Sequence, residues 1–384
     1  MPFIEQSGKT WDLNRSVAAP LKGLGLGYGH GERPLGSKTQ TYLSTKPPFV
    51  PFEIKRLPLI CHLRNIGFYK YKSRWMKRLG KRIGRLIFEY AYHQLRLSGH
   101  ADIYVQYGGQ KRRFVFDSRK THFSQLYDKQ IYDLCEPELA TLLELFLTGD
   151  KVFYDIGANW GYFSLYASSL PDYRGCIHAF EPVEETYADL QDWVTQLGQE
   201  NRVICHKVAL SDTDGITQIG IIPDHSGVAS LARAEDMNSE KQVVRTCRLD
   251  GLGLPKPDFV KLDVEGHEYE AIQGGLDSLI TNKPMIVVEN WIDQGNSDHT
   301  LMPIRALLDC GYKLFVPMWW IGPPSNKMFW PESHRMFPDG PIQMAYVELD
   351  IDMRFTLRDQ INLFCCHKDR LSELDAHFFV PDQD

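Results

Sequence analysis

The segment DFVKLDVEGHE, residues 258–268, sets Lys261, Asp263 and Glu265 at alternate positions of an otherwise apolar run made by Phe259, Val260, Leu262 and Val264. A period of two puts the three polar side chains on one face of a strand. Burying such a stripe is costly unless the groups pair with one another or serve a site. Two chemical uses present themselves. Asp263 or His267 can take the proton of a weakly acidic hydroxyl as a general base, with Lys261 beside them. Alternatively Asp263 and Glu289, which ends the run PMIVVE, can offer oxygen ligands to a hard cation such as Mg2+. An ion pair between Lys261 and Glu265 is the purely structural option for those two residues. There is no H-x-x-x-H and no Cys/His cluster, so nothing supports zinc.

A second chemical segment is VFYDIGANWGYFSL, residues 152–165. An apolar strand ends near Asp155, turns through Gly157, Ala158 and Asn159, and Gly161 opens a helix. Small residues let backbone approach a ligand, and a helix N-terminus offers unpaired N–H groups. A dinucleotide site wants G-x-G-x-x-G, whereas only two glycines flank Ala158–Asn159–Trp160, and Asp155 would repel a pyrophosphate. The acid suits a cationic ligand better, such as the amino and sulfonium groups of S-adenosylmethionine. Twenty residues past Gly161, in CIHAFEP, Glu181 ends the next strand, where a carboxylate can accept hydrogen bonds from both ribose hydroxyls. Ser211 and Asp212, in ALSDTDG, could meet an adenine edge, or they are turn chemistry alone.

These residues need a scaffold that brings strand ends together. From Glu136 onward, strand-like runs VFYDI, CIHAFE, VICHKVAL, DFVKLDV and PMIVVE alternate with helical stretches after Asn159, across Glu184–Leu197 and across Glu268–Ile280. That alternation predicts an α/β fold, a doubly wound, mostly parallel sheet covered on both faces. Between the third and fourth strands, ITQIGII and VVRTCRL read as an inserted β-hairpin. A helix at Ile304–Leu308, strand YKLFV, an aromatic loop 317–340 rich in Trp, and strands IQMAYVEL and INLFCC complete the pattern. Aromatic faces in that loop could stack on a sugar ring.

The first 120 residues differ in charge. They hold 23 Lys+Arg and 7 Asp+Glu, a balance of +16, against −22 for the remainder, although the whole chain of 384 residues is only −6. Residues 1–53 are Gly/Pro-rich and read as a meandering arm. Between Lys55 and Arg85 stand eleven basic residues and no acidic one. Trp75, Leu79, Ile83, Leu86, Ile87 and Tyr90 recur there at helical spacing, which predicts a basic amphipathic helix over roughly 71–97 packing that face on the domain. ADIYVQY and RRFVFD around Gly108–Gly109 predict a β-hairpin. The expected division is 1–100 for the arm and basic helix, 101–368 for the catalytic domain with its cofactor half at 127–290, and 369–384 for a tail. The basic segment Lys55–Arg85 suggests peripheral contact with an anionic membrane. No run approaches the ~18 apolar residues of a membrane span, and the first 20 residues lack an apolar signal core. The eight cysteines form no framework, so reduced thiols and a cytoplasmic location, with peripheral membrane contact in addition, are expected.

Taken together, DIGANWGYFS, AFEP, ALSDTDG, TCRLDGL and FVKLDVEGHE followed by VVEN resemble the FkbM family of S-adenosylmethionine-dependent methyltransferases, over roughly residues 101–316. The resemblance implies a seven-stranded Rossmann-like methyltransferase sheet. It also implies that Asp155 to Gly161 bind the methionine part of the cofactor, that Glu181 binds its ribose, and that Lys261, Asp263, Glu265 and Glu289 line the transfer site. The implied reaction is methylation of a hydroxyl on a sugar, a glycan or a related natural product. Two other classes stay open: a nucleic-acid methyltransferase, suggested by the basic segment but lacking an N-P-P-Y type motif after the fourth strand, and an inactive binding protein that keeps the fold.

Overall fold

The computed structural model describes residues 41–44, 52–58, 61, 82–84, 86–107, 109–127, 135–222, 225–230, 240–321, 327–329, 342–357, 359–376 and 378–379. Its strands in chain order are β1 (Thr41–Ser44), β2 (Phe52–Arg56), β3 (His100–Tyr107), β4 (Gln110–Asp117), β5 (Phe153–Ile156), β6 (Ile177–Phe180), β7 (Val203–His206), β8 (Ala209–Leu210) and β9 (Gly215–Ile222). They continue with β10 (His225–Ser230), β11 (Glu240–Cys247), β12 (Phe259–Leu262), β13 (Met285–Trp291), β14 (Tyr312–Ile321), β15 (Lys327–Phe329), β16 (Ile342–Glu348), β17 (Gln360–His367) and β18 (Phe378–Phe379). The helices that cover the sheet are α1 (Pro137–Phe146), α2 (Tyr162–Ser169), α3 (Glu184–Gln196), α4 (Glu268–Gly274), α5 (Leu276–Asn282) and α6 (Ser297–Asp309).

Strands β7, β6, β5, β12 and β13 lie side by side and parallel. Every residue of β5, β6 and β12 is buried, as their near-continuous apolar runs require of strands covered on both faces. Strand β17 enters antiparallel between β13 and β14, which completes the expected seven strands. The sheet does not stop there. Strands β16, β1 and β18 extend it beyond β14, and β15 pairs with β14 off that path, making eleven strands. Strand β14 is ten residues long, so Pro317–Ile321, expected to begin the aromatic loop, pairs with β16 instead, and Lys327–Phe329 is a strand too. Of the expected loop, residues 322–326 and 330–340 lie outside the described residues.

Three other expectations change. VICHKVAL is two strands, β7 in the main sheet and β8 paired with β11, because the chain leaves one sheet for the other after His206. The inserted hairpin β9–β11 is present, within a four-stranded sheet ordered β10–β9–β11–β8. The arm expected at 1–53 contributes β1 to the main sheet and the start of β2 to a three-stranded sheet with the hairpin β3–β4. In the basic segment most residues lie outside the described ones. Where helix is described, at 82–84, 86–89 and in the π-turn Tyr90–Gln94, the face expected to pack is exposed: Ile83, Leu86, Ile87 and Tyr90 face out. Phe88, Ala91 and Tyr92 are buried instead, and Tyr92 hydrogen-bonds Ser118 at the end of the β3–β4 hairpin, so the tertiary partner chose a different face from the one the spacing suggested.

Alternation along β5, β12 and β13 assigns side chains to two cores. Tyr154, Ile156, Val260, Leu262, Ile286 and Val288 pack with α4 and α6 on one side of the sheet. Phe153, Phe259 and Val287 pack with α1, α2 and α3 on the other. Asp155, Lys261 and Glu289 share that second side, since Asp155 follows Phe153 by two, Lys261 follows Phe259 by two, and Glu289 follows Val287 by two. Strand register sets Lys261 opposite Asp155 and Glu289 opposite Asn362. A polar row therefore crosses the sheet near its carboxyl end, under the N-terminus of α1.

Candidate active site

A cavity of about 250 Å³ opens at the carboxyl ends of β5, β6, β12 and β13, where ligands of open parallel sheets bind. Its floor is the turn after β5. Gly157 has φ +73°, and a Cβ there would stand 1.7 Å from the Asp263 carbonyl oxygen, so only glycine lets the two strand ends cross this closely. Gly161 (φ +87°) serves packing: a Cβ would meet Leu190 and Trp193 of α3 at 2.4 and 2.8 Å. Gly157, Ala158 and Asn159 line the cavity.

Glu181 lines it as well, and the fold fixes its carboxylate. One oxygen accepts from the Asn159 N–H at 2.8 Å, and the other from the Val183 N–H and the Thr186 hydroxyl, both at 2.9 Å. Burial pushes this carboxyl up, and the three donors pull it part of the way back. Val208, Leu210 and Phe180 add an apolar wall. A missing Cβ, a pre-set carboxylate and an apolar slot suit a nucleoside with a ribose diol.

At the other end four carboxylates converge: Glu136, Asp263, Glu265 and Glu289. Lys261 lies among them, 3.2 Å from Asp263 and 3.6 Å from Asp155, and donates to the Gly157 carbonyl at 2.9 Å. Burial works against its charge, but Asp263, Asp155 and Glu136 more than offset that and hold the ammonium above its ordinary range. Glu289 accepts from the Trp291 indole at 2.6 Å and from the Gln360 amide. Burial, then the nearby Asp263, Glu265 and Glu136, push its carboxyl well up. Burial with Asp263 and Glu138 pushes Glu136 up to about 8. Oxygens of Asp263, Glu265 and Glu289 all lie within 4.8 Å of one another, close enough to hold a hard cation.

The fold thus gathers Lys261, Asp263 and Glu289 as the polar stripe implies, with one change of geometry. Strand β12 ends at Leu262, so Asp263 and Glu265 belong to the turn that follows; Glu265 and Gly266 both take positive φ (+56° and +95°). Lys261 finds its ion-pair partners in Asp263 and Asp155. Asp155 itself is buried behind Lys261: its Oδ2 accepts from Ser164 at 2.7 Å, and its Oδ1 takes no hydrogen bond. His267 lines the cavity and sits 3.0 Å from the Ser211 hydroxyl and 3.4 Å from Glu270, with burial lowering its pKa. Ser211 is buried with its hydroxyl engaged by His267 and Asp212, and Asp212 is exposed. Glu136 escaped the sequence reading. The acid before Pro137 looks like an ordinary helix start, and only its left-handed backbone (φ +44°) and a hydrogen bond from Asn362 at 3.0 Å show that it is aimed at the site.

This sheet, with an antiparallel strand between its fifth parallel strand and the next, and a glycine turn facing an acidic strand end, is a Rossmann-like methyltransferase fold. Residues 155–314 match the methyltransferase FkbM domain, so this part of the chain is similar to that family. The hexuronic acid methyltransferase AglP of Haloferax volcanii is 27% identical over 132 residues, which are 34% of this chain and 52% of that protein. The AMB antimetabolite synthetase AmbE of Pseudomonas aeruginosa is 25% identical over 37% of this chain and 8% of its own length. The chain therefore spans about half of the first relative and a small part of the second. Among solved structures, a methyltransferase FkbM from Methylobacillus flagellatus is similar at 14% identity and TM-score 0.34, covering 72% of each chain. A precorrin-6y C5,15-methyltransferase from Geobacter metallireducens is similar at 20% identity and TM-score 0.30, covering 57% of this chain and 90% of that one.

Proposed function

We propose that this chain transfers a methyl group from S-adenosylmethionine to a hydroxyl of a sugar or a related natural product. The observation that carries the reading is that one cavity joins a nucleoside cradle, made by Gly157 and Glu181, to a carboxylate-rich end at Asp263. The FkbM domain supports methyl transfer, and a relative named for hexuronic acid supports a sugar acceptor. When bound, the cofactor supplies an electrophilic methyl group on a sulfonium. Glu181 would accept hydrogen bonds from its ribose, Gly157 to Asn159 would give room to its methionine part, and the carboxylate end would favour its positive charge. A sugar hydroxyl is a poor nucleophile near neutral pH. Asp263, tied to Lys261, would take its proton, with the raised carboxyls of Glu136 and Glu289 next to it.

Labelled S-adenosylmethionine incubated with a panel of glycans, polyketides and RNA tests this. Label should enter a hydroxyl-bearing glycan or natural product as an alkali-stable ether. Label confined to RNA would replace the acceptor class, and no binding of S-adenosylhomocysteine in calorimetry would end the methyltransferase reading. The clustered oxygens of Asp263, Glu265 and Glu289 favour one variant: a cation among them would polarise the hydroxyl. Loss of turnover in EDTA and its return with Mg2+ would establish that variant.

A further inference from the structure

A second cavity, of about 270 Å³, lies between the turn after β12, the end of β13 and the first turns of α6. Glu265 lines both cavities, and the Trp291 indole in the second is hydrogen-bonded to Glu289 in the first. The two spaces share a wall at the carboxylate end, where the reacting hydroxyl has to lie if the proposed function holds. The first cavity, at about 250 Å³, falls just below the volume one small ligand fills, about 300–1,000 Å³, so an acceptor needs room beyond it. The second cavity offers Trp291 and Tyr269 as aromatic surface and Asp293, His299 and Thr300 as polar groups. Its polar side is built rather than incidental. Asp293 accepts from the Gly295 and Asn296 N–H groups at 2.8 and 3.1 Å and faces His299 Nδ1 at 3.1 Å, and its own N–H donates to the Thr300 hydroxyl at 2.8 Å. Aromatic walls with a few fixed polar groups are what a sugar ring requires, since one face is C–H and the edges are hydroxyls.

Charge narrows the choice of sugar. Among the described residues lining the two cavities, Lys261 is the sole Lys or Arg, and it is already committed to Asp263, Asp155 and the Gly157 carbonyl. Glu265 and Asp293 carry the negative side, with Asp263 just behind them. An incoming carboxylate would meet these acids without a free cation to pair with. Building on the methyltransferase reading, we propose that the second cavity seats the acceptor's sugar ring on Trp291 and selects neutral or amino-bearing sugars over uronic acids. In this the chain would part from the relative whose name specifies hexuronic acid.

The test uses the full chain with S-adenosylhomocysteine bound and saturation-transfer NMR with methyl glucoside, glucosamine and glucuronate at pH 7.5. Methyl glucoside and glucosamine should bind, with glucuronate about tenfold weaker or more, the scale of one uncompensated like-charge contact in a partly solvated site. Trp291→Ala should abolish the sugar signals. Asp293→Asn, at a position open enough to tolerate the change, should weaken glucosamine several-fold and bring glucuronate closer to the neutral sugar. Glucuronate binding as well as methyl glucoside, sugar signals unchanged in both variants, or no binding by any of the three would each overturn the proposal. Calorimetry with S-adenosylhomocysteine on the same samples separates the two readings, because failure there strikes the methyltransferase assignment, whereas normal cofactor affinity with a wrong sugar profile strikes this one.

Discussion

The two ends of the main cavity treat buried carboxylates in opposite ways. At the Glu181 end a single acid has donors for both oxygens, two of them backbone N–H groups, so its direction is set when the chain folds. At the Asp263 end four acids crowd around one ammonium, and burial first, then Asp263, push both Glu136 and Glu289 upward. The first arrangement is a cradle, rigid and complete without a ligand. The second raises two of its acids, as clustered carboxyls at functional sites often are. On the proposed function, binding and proton transfer fall to opposite ends, and substitutions can pull them apart.

The largest separation should come from Asp263→Asn. Turnover is expected to fall by roughly 10²–10⁴, the scale of a lost general base, while affinity for S-adenosylhomocysteine stays within a few-fold. The change also removes the closest partner of Lys261, at 3.2 Å, so Asp155 at 3.6 Å becomes its main counter-charge. Full activity of the variant in the labelled-methyl assay would remove Asp263 from the chemistry. Gly157→Ala attacks the other end. A Cβ 1.7 Å from the Asp263 carbonyl, at a backbone of φ +73°, has to move one strand end. It should cost about 2–5 kcal/mol in urea unfolding and abolish measurable cofactor binding; wild-type stability would mean that the two turns are not in contact.

Glu181→Gln is the milder probe. Alanine would orphan the Asn159 and Val183 N–H groups and disturb folding along with binding, whereas glutamine keeps one carbonyl acceptor. A loss of about 1–3 kcal/mol in S-adenosylhomocysteine affinity is expected, from charge-assisted hydrogen bonds made neutral, with a loss of about 1–3 kcal/mol in unfolding because the amide NH2 must face one of the backbone N–H groups. Equal affinity for S-adenosylhomocysteine in wild type and variant would contradict the ribose assignment.

How much of this was legible follows from the range of each cause. Gly157, Glu181 and the stripe Lys261–Asp263 are local signals: a small residue at a turn, an acid at a strand end, polar residues at period two within apolar ones. Such patterns survive translation into structure because strand geometry alone decides them. The end of β12 at Leu262 was not legible, since the positive φ of Glu265 is imposed by the turn that carries it over the cavity. Glu136 was hidden for a different reason. It reaches the site only because α1 packs across the sheet and Asn362, 226 residues later, donates to it. The outward face of Ile83, Leu86 and Ile87 likewise depends on a partner, the β3–β4 hairpin, which takes Phe88 and Tyr92 instead. Strands β1, β16 and β18 widen the sheet through pairings hundreds of residues apart, beyond the reach of any local pattern.

The smallest expected effect concerns Glu136 and tests whether its end of the cavity really carries unsettled charge. Its carboxyl rises from the ordinary 4.5 to about 8, through burial first and then Asp263 and Glu138. A raised carboxyl means that the folded chain keeps a proton which the unfolded chain has already given up. The resulting stabilisation is complete below pH 4.5 and drains away as pH climbs through about 8. Glutamine has the same shape, accepts the Asn362 amide, and has nothing to lose on the alkaline side. Glu136→Gln should therefore resemble wild type most closely at pH 5 and show the higher urea midpoint by pH 9. Cofactor affinity should not move, because Glu136 lies at the far end from Glu181. A difference between the two proteins that stays the same at pH 5 and pH 9 would mean that Glu136 already titrates as an ordinary carboxylate. The contrast between a settled and an unsettled end would then rest on Glu289 alone.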